Sequence, residues 1–420
     1  MTCRRLGNML MALVVLVSVS CKHDEMEYGV DFSRLPNHGL SFVPFHEQDY
    51  DLNEMPGPSS PDGRRKASSI DAVGILRGMT ETLTASSVHQ VSGTYQSTDA
   101  YGKPMTLSGA VYYPKDQVLK GIIVSNHYTV CADYEVPSNT CYMDAWLAAK
   151  GYALIMPDYM GYGATVDSVP PYMQADLTAR HVIDMTLAVR SFFAERGLNI
   201  QSPDIIIMGY SQGAHASIHT MRILEDPENY PEYKDAQLYI KKCYVGGGPY
   251  YVSAFYQLCV ESNFISIPCS VPMLLVGMNV GRAGNDIFDP ALFFSERVNA
   301  NYEEWVLSKR YTVDQINDLI GTRKLNEILS KEACDFENVA ARCFNNNLLK
   351  HDVPEDFVPK APLYVFHSKD DDVVALYHAE RLQSQLMELN AANVTFDIDH
   401  YGVHGVAYVQ FLMKILSILP

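Results

Sequence analysis

The chain has 420 residues, 47% of them apolar and 11% aromatic, enough to bury a large core and unlike disordered, collagen-like or disulfide-knot sequences. Its formal charge is −17, and removing residues 1–21, which carry Arg4, Arg5 and no acid, takes it to −19. So anionic a surface repels phosphate backbones and lacks the basic footprint of DNA or RNA binding.

At the N-terminus Arg4 and Arg5 precede an apolar run from Met9 to Val17. This is the layout of a secretory signal, and it is shorter than the roughly 20 residues of a transmembrane helix. Export is therefore expected. The run ends Ser18-Val19-Ser20-Cys21, which resembles a bacterial lipobox with Ser18 where Leu is commoner. The resemblance implies loss of residues 1–21 and a lipid on Cys21. The segment Lys22-His23-Asp24-Glu25-Met26-Glu27 is similar to the acidic stretch that sends some Gram-negative lipoproteins to the outer face of the outer membrane. The expected localisation is an outer-membrane lipid anchor, reaching the cell surface. An ordinary cleaved signal with an incidental cysteine, followed by a solvated tether, stays open beside it.

Residues 22–70 show no sustained period and include Met55-Pro56-Gly57-Pro58-Ser59-Ser60-Pro61 and Arg64-Arg65-Lys66, so they read as a partly ordered tether. The spacing then predicts strands at Ser92–Thr98 and Met105–Tyr113, joined through the turn residues Asp99-Ala100-Tyr101-Gly102. Short apolar runs follow at Gly121–Ser125, Tyr152–Met156, Asp204–Met208, Lys242–Val245, Leu363–His367 and Val394–Ile398. Helical spacing separates several of them, at Ala175 to Arg196 with a Gly197 stop and at Gln212 to Glu225. Alternating strands and helices predict an α/β fold with a mainly parallel sheet. Residues 71–245 and 360–420 form its two parts. Between them, 246–359 breaks the alternation with helical patterns at Ala291–Lys309 and Val313–Glu332, which reads as an inserted helical cap. No repeat of fixed period is visible.

Gly209-Tyr210-Ser211-Gln212-Gly213 follows the apolar run Ile205-Ile206-Ile207-Met208 and opens a helical stretch. A strand turning sharply into a helix needs glycines beside a strained serine, and the turn exposes the hydroxyl. It also brings the Gln212 N–H and the positive end of the helix to any oxyanion at Ser211. A serine needs a base and a carboxylate to orient that base. After the strand at Leu363–His367 come Asp370, Asp371 and Asp372, and after Val394–Ile398 come His400 and His404.

The order Ser, acid, His, with Gly209-Tyr210-Ser211-Gln212-Gly213-Ala214-His215-Ala216, Gly151–Tyr159 and Gly161-Tyr162-Gly163, resembles the α/β-hydrolase superfamily and its secretory lipase/esterase branch. The resemblance covers about residues 92–245 and 360–420 and leaves the cap unmatched. It implies the α/β-hydrolase fold, a serine hydrolase cleaving carboxylic esters, and a triad of Ser211, Asp371 and His404. Asp371 is the position on which the pattern H-G-x-x-D-x-V-V lands, with Asp370 and Asp372 as alternatives; His404 is favoured over His400. His215 is expected to pack or hydrogen-bond, and Asp158 to tie its loop. The second oxyanion donor is expected after Gly121–Ser125, in Asn126-His127-Tyr128-Thr129. There Tyr128 replaces the glycine of the family's H-G-T, so the Thr129 N–H is assigned and Tyr128 is a candidate wall of the acyl pocket. The scaffold-only reading of this loop is kept beside it.

A serine exopeptidase of the same fold and a non-catalytic glycan-binding surface lipoprotein are the rival readings. Phe293, Phe294, Trp305 and Leu307 either line an acyl site or glue the cap to the core. The expected partners are a small ester substrate and the outer membrane. No cofactor is implied, and no cysteine or histidine spacing suits a metal. An oxidising compartment would permit disulfides among Cys131/Cys141, Cys259/Cys269 and Cys334/Cys343, with Cys243 left free, although spacing leaves the connectivity open. Metabolic labelling with radioactive palmitate tests the anchor: the wild-type chain should take up label and Cys21→Ala should not, and equal labelling would refute lipidation at Cys21.

Overall fold

A computed structural model describes residues 29–52, 83–283, 287–346 and 352–420. The export segment, Cys21 and the Pro/Gly/Ser stretch lie outside the described residues. Among those described, nine strands form: β1 Val43–Asp51, β2 Ser87–Thr98, β3 Pro104–Tyr113, β4 Gly121–Asn126, β5 Tyr152–Pro157, β6 Ile205–Tyr210, β7 Ile240–Gly246, β8 Leu363–Ser368 and β9 Val394–Asp399. They make one sheet in the order β1-β2-β3-β5-β4-β6-β7-β8-β9. The first three strands are antiparallel and β3 meets β5 antiparallel; every pairing from β5 across to β9 is parallel.

Every residue of β4, β5, β6 and β8 is buried, which is why each reads as a continuous apolar run rather than an alternation. Helices cover both faces. On one lie α1, Ala175–Arg196, and α2, Gln212–Glu225, packing Val182, Met185, Phe192 and Ile218 against Val124, Ile155 and Ile207. Gly197 ends α1 in the left-handed region at φ 62°, the predicted stop. On the other face Trp146, Phe411, Leu412 and Ile415 meet Ile123, Leu154 and Met208.

The tether reading meets one difference. Val43–Asp51, inside 22–70, is an edge strand whose residues are almost all exposed, and it pairs with β2 from Val43↔Thr94 to Asp51↔Ser87. With neither face buried it carries no period-two pattern to read. The pairing also explains why β2 begins at Ser87, five residues before the strand read from the sequence.

Between β7 and β8 the cap includes α3, Val252–Ser262, α4, Ser270–Gly277, and α5, Val313–Ile320, around a separate apolar cluster. Neither long predicted helix survives intact. Ala291–Lys309 breaks into short turns because Phe294 is extended and bridges Leu329, and Val313–Glu332 stops at Gly321 with φ 69°. Phe293, Phe294 and Trp305 are buried in the cap's own cluster, with Leu307 packed against it.

Asp158, at the end of β5, ties two loops to the sheet. Its buried carboxylate accepts from Ser108 Oγ on β3 at 2.6 Å and from the Ser138 N–H at 2.8 Å. Burial, working against those hydrogen bonds, pushes its pKa up to about 6. An unfolded aspartate titrates near 3.9, so the folded chain holds this proton the more tightly. The contribution is fully present below about pH 4 and is lost as pH rises to about 6, by on the order of 3 kcal/mol. Urea unfolding should therefore show the wild type losing stability across that window relative to Asp158→Asn; parallel pH profiles would refute the buried-acid account.

Candidate active site

The loops that leave β4, β6, β8 and β9 emerge at one edge of the sheet, because these strands run parallel. That edge carries the candidate oxyanion segment, the serine, the acid and the histidine, and a hydrogen bond joins the last two.

Ser211 stands between β6 and α2 with φ 57° and ψ −121°, a backbone conformation that L-residues avoid, and is 8% exposed. Its N–H donates to the Gly246 carbonyl at 2.9 Å, and its own carbonyl accepts the first helical bonds from Ala214 and His215. The flanking glycines answer to close approach rather than to unusual dihedrals. A Cβ on Gly209 would lie 2.2 Å from the Gly213 carbonyl oxygen, and one on Gly213 would lie 1.8 Å from that of Asn126. The first turn of α2 thus rests directly on the end of β4. The amide of Gln212, in the first turn of the helix, has no intrahelical partner and is free to serve an anion.

The three aspartates after β8 diverge. Asp371 Oδ2 faces His404 Nδ1 at 2.7 Å, while its Oδ1 accepts from the Val373 and Val374 amides at 2.9 and 2.8 Å. Asp370 pairs with the exposed His400 at 2.8 Å, and Asp372 accepts the His404 backbone N–H at 3.0 Å. The Asp371 side chain is fully buried and that of His404 is 12% exposed. Burial opposes the charge on Asp371, but the His404 hydrogen bond, its positive charge when protonated, and the Val374 and Val373 amides outweigh it. The carboxyl is held below its usual range and stays ionised at neutral pH.

Three further residues brace this pair. Tyr210, the unspecified position of the G-x-S-x-G pattern, donates its hydroxyl to the His404 carbonyl at 2.9 Å and packs its ring against the imidazole. Ser368 donates to the Gly402 carbonyl at 2.6 Å and accepts from the Tyr401 and Asp370 amides, joining the acid and histidine loops. His367, fully buried, faces the Val374 carbonyl through Nε2 at 3.1 Å, so Val374 is held at both ends of its backbone. His367 falls on the H of H-G-x-x-D-x-V-V and was visible in the sequence without a role. Nothing in the sequence marked Tyr210 or Ser368.

In the loop after β4, Thr129 lines a cleft beside Ser211, whereas Tyr128 turns its half-buried ring toward Tyr142 and Tyr408. Tyr128 therefore supports the loop from behind and is no wall of the cleft. His127 is buried between the Tyr128 and Asp158 carbonyls, 2.6 and 3.2 Å from its ring nitrogens. Burial lowers its pKa to about 4, so it is neutral at ordinary pH. His215 is buried against His219 one turn into α2, the packing role expected. Among the described residues no group of acids, histidines and cysteines has the arrangement of a metal site.

The cleft is narrow, with a cavity volume of about 30 Å³, and is walled by Tyr172, Met173, Val252, Phe255, Ile265 and Leu274, with Val373 and Val374 at the acid side. Three of its hydroxyls have partners inside the protein. Ser270 Oγ donates to the Ile267 carbonyl at 2.7 Å, and Thr129 Oγ1 bonds the Tyr172 hydroxyl at 2.9 Å.

No protein-family model matches the chain, and no curated protein matches it in sequence. Solved structures do. A ligand-bound form of the rice cell wall degrading esterase LipA from Xanthomonas oryzae superposes with a TM-score of 0.72 at 16% identity, over 90% of this chain and 98% of that one. A Legionella pneumophila protein gives 0.70 at 20% identity, over 90% and 96%. Candida antarctica lipase A in its closed state gives 0.58 at 13% identity, over 94% and 86%. At such identities the likeness speaks for the architecture, and with the strand order and the helices on both faces it establishes that this chain has the α/β-hydrolase fold.

Proposed function

We propose that the chain is a serine-dependent carboxylic ester hydrolase of the esterase or lipase type, acting through an acyl-enzyme. The observation that carries this reading is a strained serine at a strand-to-helix turn, at the same sheet edge as an imidazole whose Nδ1 is held by a buried, ionised carboxylate.

In this mechanism His404 Nε2 takes the Ser211 proton as Oγ attacks the ester carbonyl. Asp371 accepts the Nδ1–H, which fixes the tautomer and balances the imidazolium that forms. The oxyanion is received by the backbone N–H groups of Gln212 and Thr129. His404 then protonates the leaving alcohol, and finally activates the water that frees the acid.

The cleft favours an ester with an apolar acyl group. Its walls are mostly apolar and the Ser270 hydroxyl is turned to a carbonyl, so a sugar placed there would find few partners for its own hydroxyls. No carboxylate is among the lining residues to receive the ammonium of an aminoacyl substrate. The esterase and lipase names of two structural neighbours agree with this chemistry. Export and the Cys21 anchor belong to the same proposal, and the palmitate experiment tests the anchor.

Ser211→Ala should lower kcat on p-nitrophenyl esters by about 10⁴-fold or more and abolish fluorophosphonate labelling, and Asp371→Asn should cost about 10³–10⁴-fold. Unlabelled wild type, or unchanged turnover by Ser211→Ala, would overturn the reading and favour a binding protein. Across an acyl series, kcat/KM should climb up to about fourfold for each methylene that enters the cleft. Faster turnover of aminoacyl p-nitroanilides or of acetylated sugars than of aliphatic esters would contradict the assignment of the cleft.

A further inference from the structure

Cys131 and Cys269 are 138 positions apart in sequence, yet their Sγ atoms lie 3.8 Å apart. Both side chains are buried, at 1% and 0% exposure. Cys131 follows the candidate oxyanion residue Thr129 by two positions, and Cys269 caps α4, whose Ser270 and Leu274 line the cleft. Cys131 also belongs to the apolar cluster of the cap rather than to either cluster of the sheet, and its sulfur contacts Met273 Sδ at 3.3 Å. Among the described residues this is the closest approach of two cysteine sulfurs, and it joins none of the pairs that are neighbours in sequence.

We propose that Cys131 and Cys269 are the site of a disulfide that staples the loop after β4 to the cap across the cleft. A bonded pair needs its sulfurs at about 2.0 Å, a closure that side-chain rotation supplies when the chain carries both thiols on facing surfaces. The oxidant is a small-molecule disulfide such as oxidised glutathione. The thiolate of one cysteine attacks it, forming a mixed disulfide and releasing one reduced thiol. The second cysteine displaces the other thiol, forming the Sγ–Sγ bond; two protons leave, and the oxidant takes the two electrons. Contact with the Cys269 sulfur, and then burial, keep the Cys131 thiol protonated well above its usual range. The bond therefore forms during folding rather than on the closed protein.

Besides the apolar contacts of Tyr172 and Met173 with the cap cluster, the seam is held by dispersed hydrogen bonds. Gln174 Nε2 donates to the Gly277 and Val280 carbonyls at 2.7 and 3.0 Å, Lys309 Nζ to the Ser168 carbonyl at 2.9 Å, and Ser266 Oγ to the Asp372 carbonyl. A covalent link closing so long a loop restricts the unfolded chain and holds the cap on the sheet. The inference does not depend on the chemistry assigned to Ser211.

The test is to refold the full purified chain from urea with oxidised and reduced glutathione, block free thiols with N-ethylmaleimide in denaturing urea, and map the unreduced digest by mass spectrometry. The expected result is a peptide pair joining Cys131 to Cys269, two mass units lighter than its reduced halves, with Cys141, Cys243 and Cys259 alkylated. The thermal midpoint should fall by several degrees when dithiothreitol is added to the wild type, and should not respond in Cys131→Ser or Cys269→Ser. Alkylation of both cysteines in the refolded protein, a link from Cys131 to Cys141, or an equal response to dithiothreitol in the variants would overturn the proposal. The peptide map needs no variant, and fluorophosphonate labelling of the reduced protein reports on Ser211 separately.

Discussion

The arrangement of this molecule depends on how near the first turn of α2 comes to the end of β4. With the Asn126 carbonyl 1.8 Å from where a Gly213 Cβ would sit, no side chain fits in that gap. The helix settles onto the sheet only because the residue there has none. At the same junction Ser211 takes a positive φ of 57°. Asn126 is itself anchored, donating its side-chain amide to Ser217 Oγ at 2.9 Å on α2, so the loop carrying Thr129 leaves from a fixed point. Strain at one residue is sustained because backbone on every side of it is already committed.

A second layer of order surrounds His404. His404 opens α6, His404–Ile418, and is held through its ring by Asp371, through its N–H by Asp372 and through its carbonyl by Tyr210. Two consecutive aspartates thus act on one residue from two directions, while the third turns outward to His400. The acid is braced in turn by Val374, whose carbonyl faces His367. An imidazole fixed at ring and backbone loses little freedom when a proton moves, which is what a general base requires.

How much of this was legible follows from burial and from range. The core strands could be read because burial on both faces leaves uninterrupted apolar runs, and α1 because its apolar stripe ends at a glycine. Ser211 and Asp371 could be read because each follows such a strand, and His404 because it follows the apolar run of β9. β1 could not, since an exposed edge strand has no pattern, and the cap helices could not, since Phe294 and Gly321 interrupt an otherwise helical composition. Contacts between distant segments were invisible for a plainer reason: nothing in the neighbourhood of Cys131 or Tyr128 refers to Cys269 or Tyr408. Local spacing suggested Cys131 with Cys141, whereas tertiary packing brings Cys131 to the cap.

The exposed first strand also bears on how copies of the chain meet. An open sheet ends in unpaired backbone groups that invite another strand, and this one ends in His46, Glu47, Gln48 and Asp49, with a register shift between Pro44 and His46. Arg196 and Lys115 pair with Glu47 and Asp49 from this same molecule, leaving a charged border with an irregular register. Such a border discourages the edge-to-edge stacking by which flat sheets grow into aggregates, a safeguard of particular value where many copies crowd a small volume.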